Sequence, residues 1–242
     1  MSFELREWDD AWRYLHRFRE LSETHGTPIE RAIARSQIAS LHWHQGDYDL
    51  ALSEYRAQLE TIESDPSMAG LHNAATLRAN IGIVETVLGN WSEATENLAH
   101  AYQASTANNF DYVRSLVLAP LGLGRILEGR VAEGRRMVSH GLSLSFRSRY
   151  RRMHQIAADY AAGALAAIGE RALARSVLDS YTAFRESAYH ARSVSEEKFA
   201  AWVSAQCDGA PAGSQFPADA RVSSVVAAVC EVLESPPPPK GR

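Results

Sequence analysis

Large and small apolar positions recur along this chain at a spacing of about forty residues. The segments Arg6-Glu7-Trp8-Asp9-Asp10-Ala11, Gly46-Asp47-Tyr48-Asp49-Leu50-Ala51, Gly89-Asn90-Trp91-Ser92-Glu93-Ala94, Gly129-Arg130-Val131-Ala132-Glu133-Gly134 and Gly169-Glu170-Arg171-Ala172-Leu173-Ala174 align, with first residues 40, 43, 40 and 40 positions apart. Two residues on stands an aromatic, a Val or an Arg. Five residues on stands Ala or Gly, and nine residues on a large side chain: Leu15, Tyr55, Leu98, Val138 or Leu178. This is a helix-turn-helix unit seen from its turn. A Gly ends the first helix, a small residue lets the second approach closely, and the large residue one turn later fills the space beyond.

The first helix of each unit keeps the same register. Ala39, Gly82, Gly122 and Ala162 each precede the turn Gly by seven residues, next to Ile38, Ile81, Leu121 and Ala161 on an apolar stripe. Thr27-Pro28-Ile29-Glu30 is a capping box with Pro at the first helical position. Asp65-Pro66 and Asn108-Asn109 mark breaks between units. The predicted fold class is therefore all-α. It is a right-handed α-solenoid of antiparallel helix pairs, with a half repeat at 3–25, repeats at 27–64, 68–107, 109–147 and 150–187, and capping helices at 188–207 and 218–235. The residues 236–242, rich in proline, are expected to be an extended, disordered tail. Pro120 is expected to kink the first helix of the third repeat, and Gly134 and Gly141 to weaken its second.

These residues resemble the tetratricopeptide-repeat (TPR) family, over roughly Arg6 to Ser187. The period departs from the usual one of about 34 residues and is similar to the longer variant in bacterial regulators related to the maltose-regulon activator. The resemblance implies a protein-binding scaffold with no catalytic activity, whose first helices line a concave groove for a peptide or helix. Carried over by position, the groove residues are Ile33, Ser36, Ser40 and Trp43, then Thr76, Asn80 and Ile83, then Leu116, Leu123 and Ile126. Asn80 matches the asparagine that holds a peptide backbone in chaperone-binding relatives. Ser36, Ser40, Leu116 and Pro120 stand where those relatives carry Lys, Asn, Lys and Arg, which disfavours a receptor for chaperone tails. The alternative is a ligand- or peptide-sensing regulatory module acting on a transcription factor or nucleic acid.

The ends leave choices open. Trp8, Ala11, Trp12, Leu15, Phe18 and Leu21 give the first helix a wide apolar face with no preceding partner. That face is a folded-back cap, a homodimer contact, or the cut edge of a longer array. Val222, Val225, Val226, Val229 and Leu233 make one stripe on the last helix, which is expected to close the C-terminal end.

Composition narrows the partners. A formal charge of −4 gives no overall reason to expect nucleic acid, and no apolar run approaches the roughly 20 residues that span a bilayer. Met1 to Glu20 lacks the apolar stretch of a secretory signal, so a cytoplasmic location is the default expectation. Against that balance, Arg125, Arg130, Arg135, Arg136, Arg147, Arg149, Arg151 and Arg152 face only Glu128 and Glu133 within the same stretch. Arginine forks suit carboxylates and phosphates, so this basic patch is either a site for an acidic chain or a solvated surface balanced by neighbouring repeats. His42 and His44 lie about 200° apart on a helix and cannot share a metal. Cys207 and Cys230 have no pairing or metal spacing, and Gly122-Leu123-Gly124-Arg125 lacks the ending of a phosphate loop. No cofactor, metal site or catalytic set is expected.

Overall fold

The computed structural model of the chain describes residues 8–63, 67–148, 151–187, 192–210, 215–217 and 220–236. Regular structure among them is entirely helical. The helices are α1 (Trp8–His25), α2 (Pro28–Gln45), α3 (Tyr48–Ile62), α4 (Met68–Leu88), α5 (Trp91–Ala107), α6 (Asp111–Leu127), α7 (Val131–Arg147), α8 (Arg151–Ala167), α9 (Arg171–Ser187), α10 (Val194–Gln206) and α11 (Val222–Glu234).

Four turns repeat one device. Gly46, Gly89, Gly129 and Gly169 hold φ between 83° and 96°, a left-handed conformation that a Cβ would strain. In each, the residue after the glycine donates its N–H five residues back, as Asp47 to His42 and Asn90 to Glu85 at 2.9 Å, Arg130 to Arg125 at 2.8 Å and Glu170 to Leu165 at 2.9 Å. These bonds satisfy carbonyls that the helix end leaves free and turn the chain sharply, so consecutive helices run antiparallel. The predicted cap at α2 is present, with Thr27 N–H donating to Glu30 Oε2 at 2.7 Å.

Packing follows chain order. Each helix from α1 to α9 packs on its successor, and the even-numbered helices α4, α6, α8 and α10 also touch one another in sequence. Small residues set the crossings. A Cβ on Gly122 would lie 2.7 Å from the Gly134 carbonyl oxygen, and one on Gly141 would lie 2.7 Å from the Ala119 nitrogen, so α6 and α7 meet backbone to backbone. Gly134 and Gly141, expected to weaken α7, are what this contact requires. The helix is unbroken, and both glycines are buried where it approaches α6. Pro120 is buried within α6, which also continues unbroken to Leu127.

The two C-terminal helices depart from simple stacking. α10 packs on α8 and α9 and also returns to α2 and α4 at the beginning of the chain. α11 lies against α7 instead of closing the end. The Arg135 guanidinium explains that placement: it donates to the carbonyls of Leu233 (3.0 Å), Val232 (2.5 Å) and Ser235 (2.5 Å), the unsatisfied end of α11. α1 rests on α2, with Ala11 buried, Trp8, Trp12, Leu15 and Phe18 half-buried, and Tyr14 and Leu21 exposed. The expected helix start at 188 and the tail from Pro237 lie outside the described residues.

Candidate functional site

α8 and α10 run side by side in the same direction. Arg152 of α8 meets Glu196 of α10, Tyr160 meets Phe199, and Gly163 meets Trp202 and Val203. The other side of α10 touches the ends of the first two helix pairs. Ser195 Oγ donates to the Trp43 carbonyl, and the Val194 side chain covers Gly46, 3.1 Å from where a Cβ would stand. The Lys198 ammonium sits 4.6 Å from the Tyr48 ring centre, and Trp202 lies 5.4 Å from Trp91. Below them the Tyr160 hydroxyl is 2.6 Å from Thr86 Oγ1, tying α8 to α4.

Charged side chains hold the beginning of α10. Asp159 binds Arg185 through one carboxylate oxygen at 2.9 Å and Arg192 through the other at 2.8 Å. Arg185 also reaches Glu196 at 3.5 Å, and Arg152 reaches the other Glu196 oxygen at 3.4 Å. The side chains of Asp159, Arg185 and Glu196 are only 4 %, 4 % and 5 % exposed. Charges this deep persist only when paired and hydrogen-bonded. Arg192 adds a bond to Thr182 Oγ1 at 2.7 Å, and Ser193 N–H donates to Glu196 at 2.8 Å, completing a capping box. Burial works to raise the pKa of Glu196. The guanidinium groups of Arg152 and Arg185 and the Ser193 N–H outweigh burial, and the carboxyl stays below the usual range.

Three guanidinium groups face two carboxylates here, which leaves no place for a further cation. His44, 3.3 Å from Arg152, is held neutral, its pKa lowered to about 3 by burial and then by Arg152, against an opposing pull from Glu196. A second buried histidine, His154, stands two residues after Arg152 on α8. His154 Nε2 is 2.6 Å from the Tyr181 hydroxyl and its Nδ1 is 3.3 Å from Ser145 Oγ. The Ser145 hydroxyl proton goes to the Leu142 carbonyl at 2.9 Å, so His154 donates from Nδ1 and accepts the tyrosine proton at Nε2. Ser145 therefore accepts a bond from the ring and is not activated by it as a nucleophile. Burial lowers the His154 pKa to about 4.

The residues predicted to line a groove are divided among several places. Ser36 donates to Gln58 at 2.8 Å and Ser40 shares a 2.7 Å bond with Tyr55, so both belong to the α2–α3 seam and not to an open groove. Ile83 and Ile126 are core residues, each 5 % exposed, and Ile126 lies against Gly134 of α7. Ile33 is exposed, while Leu116 and Leu123 are buried. Thr76 turns back to the His72 carbonyl at 2.9 Å and Asn80 is half-buried on α4. Of the predicted set, Trp43 meets α10 through its carbonyl, and Leu123 shares a buried cluster with Phe199 and Val203 of α10.

The arginine cluster is likewise dispersed. Arg125 pairs with Glu128 at 2.8 Å and Arg130 with Glu133 at 2.6 Å, while Arg135 holds α11 and Arg152 belongs to the buried network. Arg136 and Arg147 are exposed; Arg149 and the side chain of Arg151 lie outside the described residues. A single patch containing Arg135 is thus corrected: its guanidinium is buried against helix carbonyls. Among the described residues no three His, Cys, Asp or Glu side chains are grouped to hold a metal ion, and no helix is long and apolar enough to cross a membrane. Compared with known proteins, the chain matches no family model, no curated sequence and no solved structure, so its own residues carry the functional argument.

Proposed function

We propose that the chain is a TPR-like right-handed α-solenoid with a long repeat, and that it is a non-enzymatic interaction module of the cytoplasm that holds a partner peptide or helix against its inner, even-numbered helices. Four identical glycine turns at a spacing of 40 or 43 residues support the repeat, and the sequential contacts of α4, α6, α8 and α10 support an inner row. The observation that carries the binding role is α10 itself. It lies against α8 and α9 and against the ends of α2 and α4, with Ser195, Glu196, Phe199 and Val203 buried, as a bound helix lies in a recognition groove.

A second reading, a sensor whose ligand changes the pitch of the solenoid, draws on the buried network in which α8, α9 and α10 meet α2. The two predict different partners. Panning displayed linear and helical peptides against the whole chain, with a photo-crosslinker in place of Asn80, is expected to enrich peptides that crosslink from α4. Recovery of none, with a small molecule instead changing the radius of gyration, would favour the sensor.

A further inference from the structure

We infer that α10 is a built-in occupant of a recognition surface, and that a partner's amphipathic helix of the pattern Ser-x-x-Glu-x-x-Phe-x-x-Trp-Val exchanges with it. The inference rests on the reading that the inner helices hold a helix, and it specifies which helix and under what competition.

α10 leaves part of its surface to solvent, as α3, α5 and α11 do, while Phe199 and Val203 enter the main core. Its buried side is Ser195, Glu196, Phe199 and Val203, whereas Val194, Glu197, Lys198, Ala201, Ala205 and Gln206 are exposed. By contrast α8, against which it lies, is buried nearly all round from Met153 to Ala166. The chemistry that positions α10 is at its first turn. Glu196 takes the guanidinium groups of Arg152 and Arg185, and a buried charge pair of this kind fixes register more than it adds stability. When Glu196 leaves, Arg185 keeps Asp159 as its partner, and Arg152 loses its carboxylate with 30 % of its side chain exposed. A carboxylate at the third position of an incoming helix restores the missing contacts.

A second observation marks α10 as an imperfect occupant. The Tyr48 hydroxyl and the Trp43 indole N–H are buried and find no hydrogen-bond partner among the described residues, and both belong to residues that α10 touches. The Tyr48 hydroxyl and the Val194 methyl both lie close to Gly46. An acceptor in place of Val194, such as Asp, satisfies that hydroxyl and gives a partner an advantage that α10 lacks.

The test uses the full chain and a fluorescent peptide with the sequence of residues 192–207. Glu196→Arg sets like charges against Arg152 and Arg185 and is expected to release α10. Hydrogen exchange should then show loss of protection in α10 while α4 and α6 keep theirs. This chain is expected to bind the peptide at least about tenfold more tightly than the wild type, because a tethered competitor has been removed. Within the peptide, Gln in place of Glu196 should weaken binding about tenfold, and Asp in place of Val194 should tighten it by about threefold to tenfold.

Release of α10 with no peptide binding would overturn both this inference and the groove reading. Equal binding by the wild type, with α10 still protected, would place the peptide elsewhere and overturn this inference alone. A dimer that excludes the peptide, seen by light scattering, would assign the surface to a second copy and overturn the partner. If Glu196→Arg does not fold, Phe199→Ala takes its place. The wild type alone also decides the matter: α10 amides that exchange only as slowly as those of α6, through global unfolding, would show that α10 never vacates the surface.

Discussion

The α6–α7 crossing and the α8–α10 junction solve the problem of helix contact in opposite ways. At the first, Gly122, Gly134 and Gly141 remove side chains until backbones touch, and Val138 and Leu142 fill the remainder. At the second, carboxylates and guanidinium groups enter the interior and are matched one to another. Close apolar packing cannot be undone in part, because every atom is against another. The α8–α10 junction adds paired charges to an apolar contact of Tyr160, Phe199 and Val203, so it depends on matched partners as well as on fit.

The sharpest way to break that comparison is to add volume at the α6–α7 crossing. Gly122→Val places a Cβ 2.7 Å from the Gly134 carbonyl oxygen and from the Val138 side chain, and neither backbone can give way. A loss of more than about 4 kcal/mol, or no folded protein, is expected in urea unfolding. At the junction, Asp159→Asn leaves Arg185 and Arg192 without their shared carboxylate and is expected to cost about 3–5 kcal/mol. The double variant with Arg185→Met should recover part of that, which a double-mutant cycle measures.

Acid provides a milder probe of the same junction. His154 has a folded pKa near 4 and His44 near 3, both below the ordinary value of 6.5. The unfolded chain thus binds protons that the folded chain refuses. Stability is complete above pH 6.5 and falls as the pH drops from there toward 4, by roughly 3 kcal/mol through His154 alone. Glu196, whose folded pKa is depressed, adds its loss only below about 4.5. His154→Gln should reduce the decline between pH 6.5 and 4.5 by about half, leaving the part due to His44, with the Gly122 region still protected from exchange at pH 5.

The smallest contrast separates two adjacent arginines. Arg135→Ala strands the carbonyls at the end of α11 and is expected to cost about 1–3 kcal/mol, with α11 amides exchanging first. Arg136→Glu alters an exposed side chain and should stay within about 0.5 kcal/mol.

Legibility in the sequence divides along the same line. Helix pairing, turn glycines and the α2 cap were readable because each depends on residues within one helix pair. The turn at Gly46 and the cap at Thr27 need only five or fewer neighbouring positions. The course of α11 was not readable, since Val225, Val229 and Leu233 show that one face is buried without saying whether α7 or the end of the row buries it. The junction was hidden for a related reason. Ser193 and Glu196 form a visible capping motif, but nothing local announces that the same carboxylate meets Arg152 and that Ser195 meets Trp43. Nothing local to Ser36 and Ser40 announces that Gln58 and Tyr55 of the next helix take up their hydroxyls.

The distance between α3 and α10 tests the central claim most directly. Spin labels on exposed Asp49 and Ala201, in a chain carrying Cys207→Ala and Cys230→Ser, report whether the start of the molecule and its tenth helix are joined. The closed junction predicts one short, narrow distance distribution that turns long and broad with Glu196→Arg. A long distance in the chain with Glu196 intact would contradict it.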